Sequence, residues 1–286
     1  MTEPQPIRVK TAKELLDAFL TGKKTQPREE KPPTMMRLSA SGGCTRRAIF
    51  TKLDPTPEDL SPRSLSIFEL GDALHAMERG DMLALGVPIK DIERKVKLVV
   101  PAGPLLPSDP DEAPGHGEGT EIPGHIDGIV EIDGEDVLLD VKTMNANSFS
   151  KLLREGISED YQAQLNSYLH ALGLKRAVLW CYSKNDSDRA LVEYTYSPEL
   201  QERIFTHFRT AHNHTAGDAL PPPSYEPYDQ RKARKPTGLS VLHFKCGYCP
   251  FRERCWPHYQ QDLTSDKPKF VFDFMAADLD SQIGDL

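Results

Sequence analysis

The chain has 286 residues, with 43 acidic and 35 basic side chains, a net charge of −8 and a mean hydropathy of −0.51. That length can bury a core as one or two domains. No apolar run approaches the roughly 18 residues of a membrane span, and the start "MTEPQPIRVKTAKELLDAF" has no signal-peptide core, so the sequence reads as cytoplasmic, without a membrane partner.

In chain order, "TAKELLDAFL" predicts a short helix, followed by a Lys/Pro/Glu-rich linker; residues 1–36 form an N-terminal extension, and the main body starts near Met36. "SPRSLSIFELGDALHAMERGDMLALG" predicts an amphipathic helix through Leu65, Phe68, Leu74, Met77 and Leu85, started by Ser61-Pro62 and stopped by Gly86. "IERKVKLVV" reads as a strand and 101–121 as an exposed loop or insertion. An Asp133-Gly134 turn joins two apolar runs into a hairpin. "SEDYQAQLNSYLHALGL" then reads as a helix capped by Ser158, "RAVLWCYS" and "ALVEYTY" as strands, and "SPELQERIFTHFRTAHNHT" as a further helix. Residues 217–240 are Pro-rich and basic, a linker containing the run "RKARK"; after 258 comes an acidic tail. The order of elements predicts one α/β domain, a mixed central sheet flanked by helices, over residues 37–258.

Each hairpin run spends an aspartate where a core residue is expected. With a two-residue turn, cross-strand partners sum to 267, so Asp127 faces Asp140 with Cβ atoms about 5 Å apart, a destabilising juxtaposition unless something positive intervenes. Lys142 shares the Asp140 face. A Mg²⁺ or Mn²⁺ ion bridging the carboxylates satisfies that electrostatics; a surface hairpin with solvated acids and a Lys142–Asp140 pair is the other reading. Gln164 and Tyr168, at i and i+4, share one helix face, either in the core or towards a ligand. His75 reads as a half-buried helix histidine or a ligand. Glu78 reads chiefly as an exposed acid. Cys246, Cys249 and Cys255 are spaced C-x2-C-x5-C, with Cys44 about 200 residues earlier; four thiolates suit a structural Zn²⁺ ion or an iron–sulfur cluster. Cys181 reads as a small buried hydrophobe.

Together these motifs resemble the RecB-like branch of the PD-(D/E)xK nucleases. "GDALHAME" looks like its first motif, "GHIDGI" the second, "LLDVKT" the third and "QAQLNSY" the QxxxY element. The resemblance implies a restriction-endonuclease-like core in which His75, Asp127, Asp140 and the Val141 carbonyl hold the metal, Lys142 is catalytic, and Gln164 and Tyr168 support the site or contact DNA. Ile126 stands where the family often has proline. The upstream "CTRR" and the C-terminal cysteine triplet resemble the iron–sulfur members, among them CRISPR-associated adaptation exonucleases and AddB-type nuclease domains. This implies a [4Fe-4S] cluster on Cys44, Cys246, Cys249 and Cys255 that clasps the N- and C-terminal segments, with Arg46 and Arg47 as phosphate contacts. The function implied is a metal-dependent DNA exonuclease acting on single-stranded or frayed ends, in recombination, repair, phage DNA metabolism or CRISPR adaptation, in a prokaryotic or phage-infected cell. A non-catalytic nucleic-acid-binding or assembly protein, and a zinc-stabilised processing endonuclease, are the alternatives. The tail, with Phe270, Phe272 and Phe274 before several aspartates, reads as a partner-binding peptide or as a disordered or packed end.

Overall fold

The computed structural model describes residues 12–25, 36–54, 62–102, 119–232, 234–265 and 269–273. Helix α1 (Ala12–Thr25) precedes a 3-10 turn (Leu38–Ala40), α2 (Thr45–Leu53) and the long α3 (Pro62–Ala84). Strands β1 (Ile89–Lys90), β2 (Lys95–Val100), β3 (Thr120–His125), β4 (Gly128–Ile132) and β5 (Glu135–Met144) follow. Then come α4 (Ala146–Glu155), α5 (Glu159–Leu172), β6 (Arg176–Ser183), β7 (Arg189–Thr195) and α6 (Pro198–Asn213). The C-terminal part holds β8 (Tyr228–Lys232), β9 (Lys235–Val241), α7 (Phe244–Gly247), α8 (Arg252–Cys255), β10 (Gln260–Gln261) and β11 (Phe270–Asp273). Much of the expected exposed loop or insertion 101–121 and all residues after 273 lie outside the described residues, as does Ser61; Thr120 and Glu121, at the end of that expected loop, begin β3 instead.

The central sheet has the order β1-β4-β5-β6-β7. β5 and β6 run parallel, which requires the crossover through α4 and α5, and the other neighbours are antiparallel. This is the mixed α/β sheet that the sequence predicts. β5 is buried on both faces. Val137, Leu139 and Val141 meet Met82 of α3, whereas Leu138 joins a larger core with Leu165, Leu179 and Phe208. Alternation along β5 then carries Asp140 and Lys142 onto the α5 side.

Asp133 (φ 54°) and Gly134 (φ 76°) both take the left-handed conformation of a two-residue hairpin turn, and Gly128 pairs with Leu139, so the register sum of 267 holds. The first apolar run is nevertheless two strands. β3 pairs with β2, and the chain bends at Ile126-Asp127 before β4 joins β5. Asp127 therefore stands just beyond the ladder instead of across from Asp140 within it.

Several expectations give way to tertiary packing. The buried residues of α3 are Leu65, Glu78 and Met82; of the expected amphipathic stripe Leu65 is buried and Leu74 half-buried, whereas Phe68, Met77 and Leu85 are exposed. Glu78, expected as an exposed acid, is 1% exposed; Trp180 Nε1 (2.8 Å) and Arg189 Nε and Nη2 (2.9 and 2.7 Å) donate to its carboxylate. Ser158 occupies the N-cap position of α5 but makes no side-chain cap, while Gly173 (φ 69°) ends the helix as expected. Part of the expected linker 217–240 is the β8–β9 pair, in which Arg231 faces Pro236 and Lys232 faces Lys235. β11 joins β9 and buries Phe270, so the start of the expected tail is built into a four-stranded sheet, β10-β11-β9-β8. α4 carries no such expectation. Its start is fixed by Asn145 Oδ1 accepting from the Ser148 N–H at 2.9 Å. Cys181 is fully buried.

α5 is held on two sides. Asn166 accepts from the Ser197 N–H (2.7 Å) and Tyr194 (3.0 Å) and donates to Gln201 (3.0 Å), and Ser167 Oγ donates to Ser41 Oγ at 2.7 Å. No helix among the described residues is long and apolar enough to cross a membrane.

The Glu78–Arg189 pair ties α3 to the edge strand β7. Arg189→Leu should destabilise the chain by about 3 kcal/mol, because it leaves a buried carboxylate without its countercharge. Adding Glu78→Leu should recover much of that loss in denaturant unfolding.

Candidate active site

Asp127 and Asp140 reach the same point from different supports. Asp127 Oδ2 accepts the Val141 N–H at 2.7 Å, closing the ladder position that β4 leaves open. In an extended strand a residue's N–H and C=O share an edge, so the Val141 carbonyl lies on that edge as well. Asp127 Oδ1 is 3.5 Å from His75 Nδ1 and 3.2 Å from Arg79 Nη1. Asp140 is 3% exposed; its Oδ1 accepts from Gln164 Nε2 at 3.2 Å. Its Oδ2 is fully buried and lies 2.7 Å from Lys142 Nζ as an ion pair, without an aligned hydrogen bond.

The electrostatics of the two acids diverge. Burial works against charge on Asp127, but the His75 hydrogen bond, the Lys142 charge and the Val141 N–H outweigh it, and its pKa lies below the ordinary carboxylate value. Burial raises Asp140, against the charge of Lys142 and with the help of neighbouring Asp127. Lys142 is pushed upward, because the two carboxylates overcome the effect of its burial. In this state the lysine is a fixed positive charge, not a proton acceptor.

α5 braces the arrangement. Gln164 and Tyr168 are both buried, so their shared face does not open onto solvent, and Gln164 supports Asp140 from it. Burial pushes the Tyr168 phenol up to about 12. Its ring abuts β3 so closely that a Cβ on Gly124 would lie 2.8 Å from Cε1. Tyr161, one turn before Gln164, places its ring 5.7 Å from Lys142 Nζ.

The structure thus brings His75, Asp127, Asp140, Val141, Lys142, Gln164 and Tyr168 together. Sequence reasoning missed Arg79, which also contacts Glu93 Oε1 at 2.7 Å. Its position four residues after His75, on the same helix face, was the available signal.

The four motif cysteines gather elsewhere. Cys44 precedes α2, Cys246 lies in α7, Cys255 ends α8, and with Cys249 all line one cavity of about 570 Å³. Arg46 is drawn into this wall, with Nε donating to the Pro221 carbonyl at 2.6 Å and Nη1 3.4 Å from Cys255 Sγ; Arg47 lines the same cavity. Burial raises the thiols of Cys246, to about 11, and of Cys249. Among the described residues, no group of three or more His, Cys, Asp or Glu side chains is close enough to form a ready-made metal site. The carboxylate oxygens nevertheless fit a hard cation. Asp127 Oδ1 and Asp140 Oδ2, the two not held by neutral N–H donors, are each faced by a cationic side chain, and the second lacks an aligned partner.

The sequence profile of the PD-(D/E)XK nuclease superfamily matches residues 85–256, and the chain belongs to that superfamily, whose members typically use divalent metals such as Mg²⁺ or Mn²⁺. Among solved structures, the chain is similar to SSO0001, at 16% identity over 84% of this chain and 93% of that one, with a TM-score of 0.47. It is similar to the alkaline exonuclease LHK-Exo from Laribacter hongkongensis, at 13% identity over 68% and 90% of the two chains, with a TM-score of 0.43. A phage-related exonuclease from Haemophilus somnus 129PT matches at 12% identity over 62% and 91%, with a TM-score of 0.35. No curated protein matches the chain.

Because Arg79 sits on the Asp127 oxygen that faces the site, it competes with any cation bound there. Arg79→Ala should tighten Mn²⁺ binding about tenfold, the factor that one positive charge about 5 Å from a divalent ion contributes even at water-like screening. Calorimetric titration without nucleic acid checks this; unchanged or weaker binding would show that Arg79 is no competitor.

Proposed function

We propose that this chain is a metal-dependent DNA exonuclease that hydrolyses phosphodiester bonds from single-stranded or frayed ends. The observation that carries the reading is the buried Asp140, with one oxygen fixed by Gln164 and the other set against Lys142 beside Asp127. A dead scaffold gains nothing from placing two acids at one buried point.

A bound Mg²⁺ or Mn²⁺ ion would supply Lewis acidity and a water of lowered pKa. Asp127, Asp140, His75 and the Val141 carbonyl are the groups that would hold it. The remaining work falls to the chain. Lys142, charged and nearly buried, stabilises negative charge developing on the phosphate and orients the attacking oxygen. Gln164 keeps Asp140 aimed, and Tyr168 packs its ring against Gly124 of β3.

We further infer a [4Fe-4S] cluster on Cys44, Cys246, Cys249 and Cys255, with structural zinc as the alternative that metal analysis separates. The donors are all sulfur, and they come from the two ends of the nuclease region, Cys44 on one side and 246–255 on the other. Recombination, repair, phage DNA metabolism and CRISPR adaptation all provide suitable ends.

Wild-type protein should release nucleotides from end-labelled linear single-stranded DNA in Mn²⁺ and spare circular DNA. Lys142→Ala and Asp140→Ala should each slow release by about a hundred- to a thousandfold, and Lys142→Ala should bind DNA nearly as tightly as wild type. Loss of binding together with cleavage, in folded protein, counts against the role given to Lys142. Cys249→Ala should lose iron and unfold at lower denaturant concentration, because the link across about 200 residues is broken; a metal-free wild type of equal stability would remove the cluster.

A further inference from the structure

The cavity that holds the cysteines carries features that hydrolysis and cluster binding leave unused. Its lining includes Arg37, Arg46, Arg47, Lys245 and Arg252 against a single lining carboxylate, Asp160, with Glu253 just outside it paired to Arg252 at 2.8 Å, on a chain with a net charge of −8. Positive charge is therefore concentrated here against the sign of the whole molecule. Lys245 is fixed to Asp160 at 2.5 Å and to the Tyr225 hydroxyl at 3.0 Å, which holds its ammonium in the wall.

Aromatic rings run along the same wall. Tyr225 stacks on His243 with centroids 4.8 Å apart and planes 13° from parallel, and His243 meets Phe244 at 4.6 Å. Phe244 and Tyr248 line the cavity yet remain 63% and 64% exposed, whereas the cysteines are half-buried. The rings thus stand at the rim and the thiols lie deeper. A row of cations alone would suit any polyanion; cations with exposed ring faces suit unpaired bases, which stack while the phosphates follow the charge. A duplex, with its base faces already stacked, cannot use such rings.

The cavity also adjoins the hydrolytic centre. Asp160 lines it, and the next residue, Tyr161, approaches Lys142. Both belong to the first turn of α5, and Gln164, one turn on, holds Asp140.

We propose that Phe244 and Tyr248 form a base-stacking site for single-stranded nucleic acid at the mouth of this cavity, beside the hydrolytic carboxylates. The idea deepens the nuclease reading and rests on it for its role, but its test needs binding alone. The other function open to these rings, roofing a bound cluster, makes them indifferent to strandedness.

The experiment is fluorescence anisotropy of the full chain with a labelled 15-nucleotide oligothymidylate and with a blunt 15-base-pair duplex, with no divalent metal added. Phe244→Ala with Tyr248→Ala should weaken oligothymidylate binding by at least about tenfold and leave the duplex affinity unchanged. Phe244→Leu with Tyr248→Leu, which keeps apolar bulk without a ring face, should lose as much, and Phe244→Tyr with Tyr248→Phe should retain wild-type binding. If thermal melting shows that the alanine pair is unfolded, the leucine pair decides. Unchanged single-strand affinity, equal losses on both nucleic acids, or wild-type behaviour of the leucine pair would overturn the proposal. Wild-type protein that binds the single strand but does not cleave it in Mn²⁺ removes the nuclease reading and leaves the stacking site; cleavage by wild type, with variants of full single-strand affinity, removes the stacking site alone.

Discussion

Placing two carboxylates together in the interior of a sheet is unfavourable, and much of the fold around β5 is arranged to make that placement tolerable. Burial of Asp140 is offset by Lys142 and Gln164; the closeness of Asp127 is offset by His75, Arg79 and the Val141 N–H. Every one of these partners comes from an element whose position is fixed independently. α3 is tied to the sheet by Glu78, Trp180 and Arg189, α5 by Asn166 and Ser167, and the Asp127 bend by the strands on either side of it.

The arrangement leaves one oxygen of each acid facing a cation. An ammonium and a guanidinium neutralise charge but cannot satisfy a carboxylate in the way a small hard ion does, since each brings its own bulk and directional donors. With Glu93 also on Arg79, carboxylates outnumber the lysine and arginine that face them. Glu93, already in contact with Arg79, offers that guanidinium a second carboxylate when Asp127 is taken.

Much of this was legible in residue order. The Asp-Gly turn fixed the hairpin register, the two-residue alternation placed Lys142 with Asp140, and the four-residue spacing put Gln164 and Tyr168 on one helix face. What escaped was decided by distant partners. Nothing near Glu78 announces that Trp180 and Arg189, about a hundred residues away, will receive it, so an acid on a polar helix reads as solvated. The hydrophobic residues of α3 misled for the same reason, because the sheet reaches that helix through Glu78 and Met82 and bypasses Phe68 and Met77 of the apparent stripe. Pro and Lys in 217–240 suggested a linker because hairpins at a protein's edge tolerate both, and only the pairing of β9 with β11 shows that the segment belongs to a sheet.

The wall shared by Cys44 and residues 246–255 has a consequence for the nascent chain. The central sheet is complete once Thr195 has been made, whereas the cysteine-lined cavity waits for Cys255, 60 residues later. At cellular elongation speeds of about 5–20 residues per second that interval is roughly 3–12 s. During it the carboxylates and their lysine already exist, but the basic, ring-edged wall beside them does not. Translation thus completes the carboxylate–lysine cluster before the basic, ring-edged wall that comes to stand beside it.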